Sequence, residues 1–200
     1  DMGTRLPLTA SAGDHDEGTD LPADFRVDFP VRAADGSLQL KAITLPRQQD
    51  VHRGFLPFTR RKLIEQAFKF LGERYGWGHS GNTRDCSGFI AEVHRTFGIC
   101  LPRNADDQAS CRVGRNLLFG ERDSLAARLN ALESLQAGDL VFTPGHVMLY
   151  LGTRDGEPYV IHDASAIYCT TPDGRLLHDA ADGVAFVLRQ SCVYVTWKYP

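Results

Sequence analysis

No stretch of the sequence approaches the roughly 18 consecutive apolar side chains that a membrane-crossing helix needs. The first thirty residues carry Asp14, Asp16, Glu17, Asp20 and Asp24 and lack the basic-then-apolar order of an export signal. As it stands, then, the sequence is expected to hold neither a membrane span nor a leader. Positive charge is not in excess either. Against 22 Lys and Arg stand 25 Asp and Glu, a net charge of −3, and a chain with a pI near 6.2 offers no basic footprint for a phosphate backbone. Nucleic acid is excluded as an expected partner. The five cysteines, Cys86, Cys100, Cys111, Cys169 and Cys192, include no C-x-x-C pair. That argues against a structural zinc site or a thioredoxin-type redox pair, and an odd number cannot all bridge. Internal repeats and low-complexity tracts are missing too. What is present, 42% apolar and 24% charged side chains over 200 residues, suits one good globular core or two small ones.

Residues 1–24 are rich in Gly, Asp, Thr and Ala and read as a tail or draping segment. Phe25, Val27, Phe29 and Val31 then alternate with polar residues, Asp35-Gly36 signals a tight turn, and an apolar run resumes from Leu38 to Leu45. This is a β-hairpin pattern, too small to stand alone. Residues 25–56 are thus expected to be a small β module and its linker. From residue 57 the period changes. Leu63, Ile64, Ala67, Phe68 and Leu71 fall at helical spacing behind Thr59, and Phe89, Ile90, Val93 and Phe97 predict a second helix that starts near Cys86 and ends at Gly98. Residues 102–115 read as a polar loop, and 125–135 as a short third helix. Short β-rich runs follow at 139–143, 146–151, 159–163, 184–188 and 194–197, divided by Pro-Gly and Asp-Gly turns. Helices first and antiparallel strands afterwards predict an α+β domain over residues 57–200.

Cys86 sits in Asp85-Cys86-Ser87-Gly88-Phe89, at the mouth of the second helix. The first turn of a helix presents unpaired N–H groups and the positive end of the dipole, and both favour a thiolate. Gly88 leaves room for a substrate, and the N–H groups beside Cys86 can stabilise an oxyanion. The plain alternative is a small side chain packed at a helix start. Downstream, His146 follows the Pro144-Gly145 turn and opens a strand, while His162 lies in the next strand of the same hairpin. Adjacent antiparallel strands can bring the two imidazoles together. One would take the thiol proton and the other would fix its tautomer, as in a Cys-His-X triad.

The motifs Tyr75-Gly76-Trp77-Gly78, Asp85-Cys86-Ser87-Gly88-Phe89-Ile90, Leu101-Pro102-Arg103, Ala137-Gly138-Asp139-Leu140-Val141-Phe142 and His146-Val147-Met148-Leu149-Tyr150-Leu151-Gly152 occur in that order. Together they resemble the NlpC/P60 family of bacterial cell-wall cysteine peptidases, over residues 57 to 198. The resemblance implies a papain-like α+β fold. It also implies cleavage of the amide between γ-D-glutamate and a diamino acid, meso-diaminopimelate or lysine, in peptidoglycan stem peptides, with no metal or other cofactor. Carried over residue by residue, Cys86 is the nucleophile, His146 the base and His162 the third member. Asp85, Ser87, Tyr75, Trp77, Arg103 and Asn104 are implied as substrate-binding residues, with Asp85 holding the free amine of an N-terminal L-alanine. For Tyr75 and Trp77 the competing reading is core packing.

Residues 25–56 resemble the end of the SH3-like module that precedes the catalytic domain in some members, with the earlier strands absent. A second chain completing that cap is a further expectation. Where members of the family often carry a serine two residues after the arginine of Leu-Pro-Arg, this sequence has Ala105. Asn104 is the candidate to replace the hydrogen bond. The acid pair Asp106-Asp107 reads as a solvated loop face, and Cys100 and Cys111 can bridge in an oxidising compartment. A non-catalytic wall-binding module, or an amidase or acyltransferase on the same fold, are the alternative functions. The expected location is the bacterial cell envelope, or the cytoplasm for an enzyme that recycles wall fragments.

Overall fold

The computed structural model describes residues 1–9, 24–46, 49–111, 114–120, 122–165, 167–170, 176–179 and 183–188. The chain divides into two compact units, one made of Thr4–Leu56 and the other of Pro57 onward together with Asp1–Gly3.

In the smaller unit, β1 (Phe25–Arg32) and β2 (Leu38–Leu45) form an antiparallel hairpin in the register Phe25 to Leu45 through Arg32 to Leu38. Its turn is held by the Asp35 carboxylate, which accepts from both the backbone N–H and the hydroxyl of Ser37, and by Gly36 at φ +86°. Within the tail or draping segment expected over residues 1–24, residues 7–9 lie along β1. Leu8 bridges Val27, the Thr9 N–H donates to the Arg26 carbonyl, and the Asp28 N–H donates to the Pro7 carbonyl. These residues find partners because the outer edge of β1 leaves backbone groups open.

The larger unit begins with α1 (Arg60–Phe68), capped by the Thr59 hydroxyl, which accepts from the Lys62 N–H. Helix α2 (Cys86–Arg95) is capped in the same way by Asp85 and packs against α1 on one side and the sheet on the other. Phe89, Ile90 and Val93 are fully buried there with Leu63 and Ala67 of α1, and the Phe89 ring meets Phe70 edge-on. Each such large side chain contributes about 1.5–3 kcal/mol on burial. Residues 102–115 are not all loop, since α3 spans Ala105–Ser110. Ala105, Gln108 and Ala109 form its buried face, at a helical spacing too brief to register as a period. Helix α4 (Leu125–Glu133) follows, capped by Ser124.

Strands β3 (Leu140–Thr143), β4 (His146–Arg154), β5 (Glu157–Ala164) and β8 (Gly183–Leu188) make a four-stranded antiparallel sheet in that order. The β4–β5 turn carries Asp155 and Gly156, both at positive φ, as a two-residue hairpin turn requires. A second pair, β6 (Ile167–Thr170) and β7 (Leu176–Asp179), is an addition to the predicted strands. The strand expected at residues 194–197 lies outside the described residues, as does Cys192. The bridge weighed for Cys100 and Cys111 is not formed, and both are free thiols. A cavity of about 610 Å³ lined by Phe58, His94, Leu101, Gln108, Leu132 and Leu140, among others, contains none of Cys86, His146 and His162.

Candidate active site

Three elements converge on Cys86. It is the first residue of α2, and its thiol is directed at the Gly145 carbonyl, 4.0 Å away in the turn that precedes β4. The N–H groups of Val147 and Ser87 reach the sulfur from β4 and from α2 itself. Cys86 therefore lies against the backbone on either side of His146. Burial pushes its thiol up. The Val147 and Ser87 N–H groups oppose that shift, and the Asp85 and Asp163 carboxylates reinforce it. At rest this is a protonated thiol.

His146 opens β4 and His162 lies in β5. The paired residues Leu149 and Ile161 share one face of the sheet. Three residues back along β4 and one residue on along β5, the pleat turns His146 and His162 to the other face together. Their rings meet through Nε2 of His146 and Nδ1 of His162, 2.8 Å apart, with the ring planes 75° from parallel. Burial lowers both imidazoles to about 4, and for His162 the neighbouring His146 adds to the effect. Both rings are neutral at pH 7. Asp163, next in β5, is fully buried, and its charge is felt at both Cys86 and Tyr75.

Asp85 is a hub. Its Oδ1 accepts from the Gly88 N–H at 2.9 Å, the Ser87 hydroxyl at 3.3 Å and Arg103 Nη1 at 3.0 Å. Its Oδ2 accepts from the Gly78 N–H at 3.0 Å and Arg103 Nη2 at 2.7 Å. Burial alone would raise this carboxyl, but the Arg103 guanidinium and the two backbone donors outweigh it and hold Asp85 below the usual carboxylate range. Nη1 of Arg103 also donates to Ser87 Oγ at 3.0 Å, which ties Arg103 to the residue after the nucleophile.

Tyr75 is half-buried on the approach to this cluster, paired through a bridge to Arg84. Burial, with the nearby Cys86, Asp85 and Asp163, pushes its phenol up to about 12, so it stays a hydrogen-bond donor. Trp77 is 79% exposed, which removes the core-packing reading for that ring. It stands on the loop Trp77–Asn82, where Gly78, His79, Gly81 and Asn82 all have positive φ. Asn104 faces solvent at the start of α3 and donates to Asp107 at 3.2 Å.

Two residues near the site were not expected to matter. Asp106 is more than a solvated loop residue, because its Oδ1 accepts from the Gly145 N–H at 3.2 Å and so fastens the turn before His146 to α3. Gln108 is buried, and its Nε2 donates to the carbonyls of Ser87 and Pro102, bracing the first turn of α2. Only the i, i+3 spacing of Gln108 from Ala105 hints at an inward position, and nothing in the sequence marks the Asp106 contact.

The sequence profile of the NlpC/P60 family matches residues 72–185. A gamma-D-glutamyl-L-lysine dipeptidyl-peptidase from Bacillus subtilis (strain 168) is 33% identical over 103 residues, which is 47% of this chain and 30% of that protein. The chain thus spans about a third of the length of this relative. Among solved structures, an NlpC/P60 endopeptidase from Photobacterium damselae subsp. piscicida aligns with a TM-score of 0.62 at 18% identity, covering 93% of this chain and 41% of that one. That likeness is one of fold. An NlpC/P60 family protein from Bacillus cereus ATCC 10987 aligns with a TM-score of 0.55 at 25% identity, covering 92% of this chain and 48% of that one.

Proposed function

This chain belongs to the NlpC/P60 family, and we propose that it hydrolyses the amide between γ-D-glutamate and the following diamino acid in peptidoglycan stem peptides. The observation that carries the reading is Cys86 at the start of α2, seated against residues 145 and 147 while His146 between them is bonded to His162. Likeness to the gamma-D-glutamyl-L-lysine dipeptidyl-peptidase of B. subtilis supports the γ-D-glutamyl bond and favours lysine over meso-diaminopimelate as the diamino acid.

In this reading His146 carries its proton on Nε2 and donates it to Nδ1 of His162. That leaves Nδ1 of His146 to take the Cys86 proton as the sulfur attacks the γ-carbonyl carbon. Since the thiol is held up and the imidazole held down, the resting pair is neutral, and proton transfer accompanies attack. Charge then develops on the carbonyl oxygen, where the protonated Tyr75 phenol and the first N–H groups of α2 are the available donors. The imidazolium returns its proton to the leaving amine, freeing the diamino acid. Water, deprotonated by His146, cleaves the thioester and restores the thiol. Such a substrate belongs to the cell envelope, where we place the activity.

The test is mass spectrometry of products from L-Ala-γ-D-Glu-L-Lys and its meso-diaminopimelate counterpart, with the native chain and with Cys86→Ala. Release of L-Ala-D-Glu by the native chain alone is expected. No release from either peptide, freed L-alanine instead, or turnover that survives in Cys86→Ala would overturn the proposal.

A further inference from the structure

Apart from the site around Cys86, the cavity of about 610 Å³ between α2, α3, α4 and β3 has mostly apolar walls, with Phe58, Leu101, Phe119, Leu132, Leu140 and Phe142 among them. Its volume is that of a small-molecule site. Two buried acceptors belong to the wall. Gln108 is 3% exposed, and its Nε2 donates to the carbonyls of Ser87 and Pro102. Carbonyls only accept, which fixes the amide nitrogen on that side. Neither Ser87 nor Pro102 lines the cavity and Gln108 does, so Oε1 is turned toward it, with no hydrogen-bond partner among the described residues. His94 is also buried, and its Nδ1 lies 2.8 Å from the Ile90 carbonyl. Nδ1 therefore carries the proton and Nε2 a lone pair, which burial preserves by pushing this imidazole down. Among the described residues nothing donates to that Nε2.

The donors beside these acceptors are spent. Asn116 Nδ2 donates to the carbonyls of Ala109 and Cys111, and the Cys111 thiol donates to that of Gln108. A polar group entering here must give a hydrogen bond and need none in return. A hydroxyl brings lone pairs that go unmet, whereas an indole N–H is a donor only, set in a flat apolar body. Charge adds a second requirement. Arg115 and Arg128 line the cavity against one carboxylate, Asp139, which accepts from the Gln136 N–H. Arg115 is exposed, and among the described residues nothing pairs with it. We propose that this cavity binds an indole bearing a short acid chain, with the N–H directed at the Gln108 and His94 acceptors and the carboxylate on Arg115 at the opening. None of Cys86, His146 and His162 lines it, so this site is separate from the reaction proposed above.

The test is NMR titration of the full chain with indolepropionate, with its N-methyl derivative, which lacks the N–H, and with indolepropionamide, which lacks the charge. Indolepropionate is expected to bind with a Kd of about 1 mM or below, the level that a ligand of this size reaches at ordinary efficiency. The N-methyl derivative is expected to bind at least about fivefold more weakly, because the buried acceptors then meet a methyl group. The amide is expected to bind about two- to fivefold more weakly, as suits an exposed ion pair, and Arg115→Gln to erase that difference. Leu132→Trp fills the cavity from α4 and is expected to weaken indolepropionate at least about tenfold. None of the described residues of α4 is fully buried, which favours tolerance of the larger ring. Ala131→Leu, on the same wall, takes its place if that variant loses cooperative thermal unfolding. No binding of indolepropionate at millimolar concentration overturns the proposal. So does equal affinity for the N-methyl or amide derivative, an Arg115→Gln chain that still distinguishes acid from amide, or full affinity in the filled cavity.

Discussion

Burial holds the His146 and His162 imidazoles near 4, whereas in an unfolded chain both titrate at about 6.5. As the pH falls, the unfolded state takes up protons first. The stability these two residues contribute is complete above about pH 6.5 and is lost between there and about 4, at up to about 1.4 kcal/mol per pH unit for each histidine. Thermal unfolding midpoints measured from pH 7.5 down to 4.5 are expected to fall, and to fall less steeply in His162→Gln. A midpoint that stays flat across that range, or the same slope in the variant, would show that the pair is not buried in its neutral form. The three residues of this cluster are legible in the sequence because each sits beside a strong local signal. Cys86 stands at a helix start, His146 follows Pro144-Gly145, and His162 lies in an alternating strand. Asp106 has no such marker. Its bond to the Gly145 N–H joins positions 39 apart in the chain, and adjacent acids on a polar segment read as solvated face whatever they touch.

Helix α2 carries a charge in its core. Glu92 is 1% exposed and accepts from Arg84 Nε at 3.1 Å and from the Met2 N–H at 3.1 Å, while Arg84 also holds Glu73 at 2.7 Å. A carboxylate this deep is tolerated only while it is paired, so removing the arginine strands it. Arg84→Ala is expected to lose about 3–5 kcal/mol in urea unfolding, and the double change Arg84→Met with Glu92→Leu to recover much of that. A loss under about 1 kcal/mol for the single change would mean that water reaches Glu92. Sequence reading finds α2 because Phe89, Ile90, Val93 and Phe97 keep one apolar stripe, yet Glu92 at a buried position is invisible to that pattern. Elements short of a full period escape for a related reason. Helix α3 offers three inward residues, and β6 and β7 four residues each, so tertiary contacts rather than local periodicity decide their state.

The two compact units differ sharply in how much apolar surface they hide. From residue 57 onward Leu63, Ala67, Phe89, Ile90, Val93, Val147, Leu149 and Ile161 are essentially inaccessible. In Thr4–Leu56, Val27 is the one buried hydrophobic among the described residues, and Leu8, Phe29, Leu40, Phe55 and the 75% exposed Leu38 face outward. A hairpin with a single buried anchor gains about 1.5–3 kcal/mol from that side chain, against an ordering cost of about 1–2 kcal/mol for each backbone residue. Its hydrogen bonds should open without the rest of the molecule unfolding, whereas those of α2 and β4 need global unfolding to open. Hydrogen exchange followed by mass spectrometry is therefore expected to show β1 and β2 amides exchanging at least about a hundredfold faster than those of α2 and β4. In a urea series the difference should persist below the main transition and vanish within it. Equal protection in both units would overturn this account, because it would require apolar burial over Phe29, Leu38 and Leu40 that the described residues do not supply.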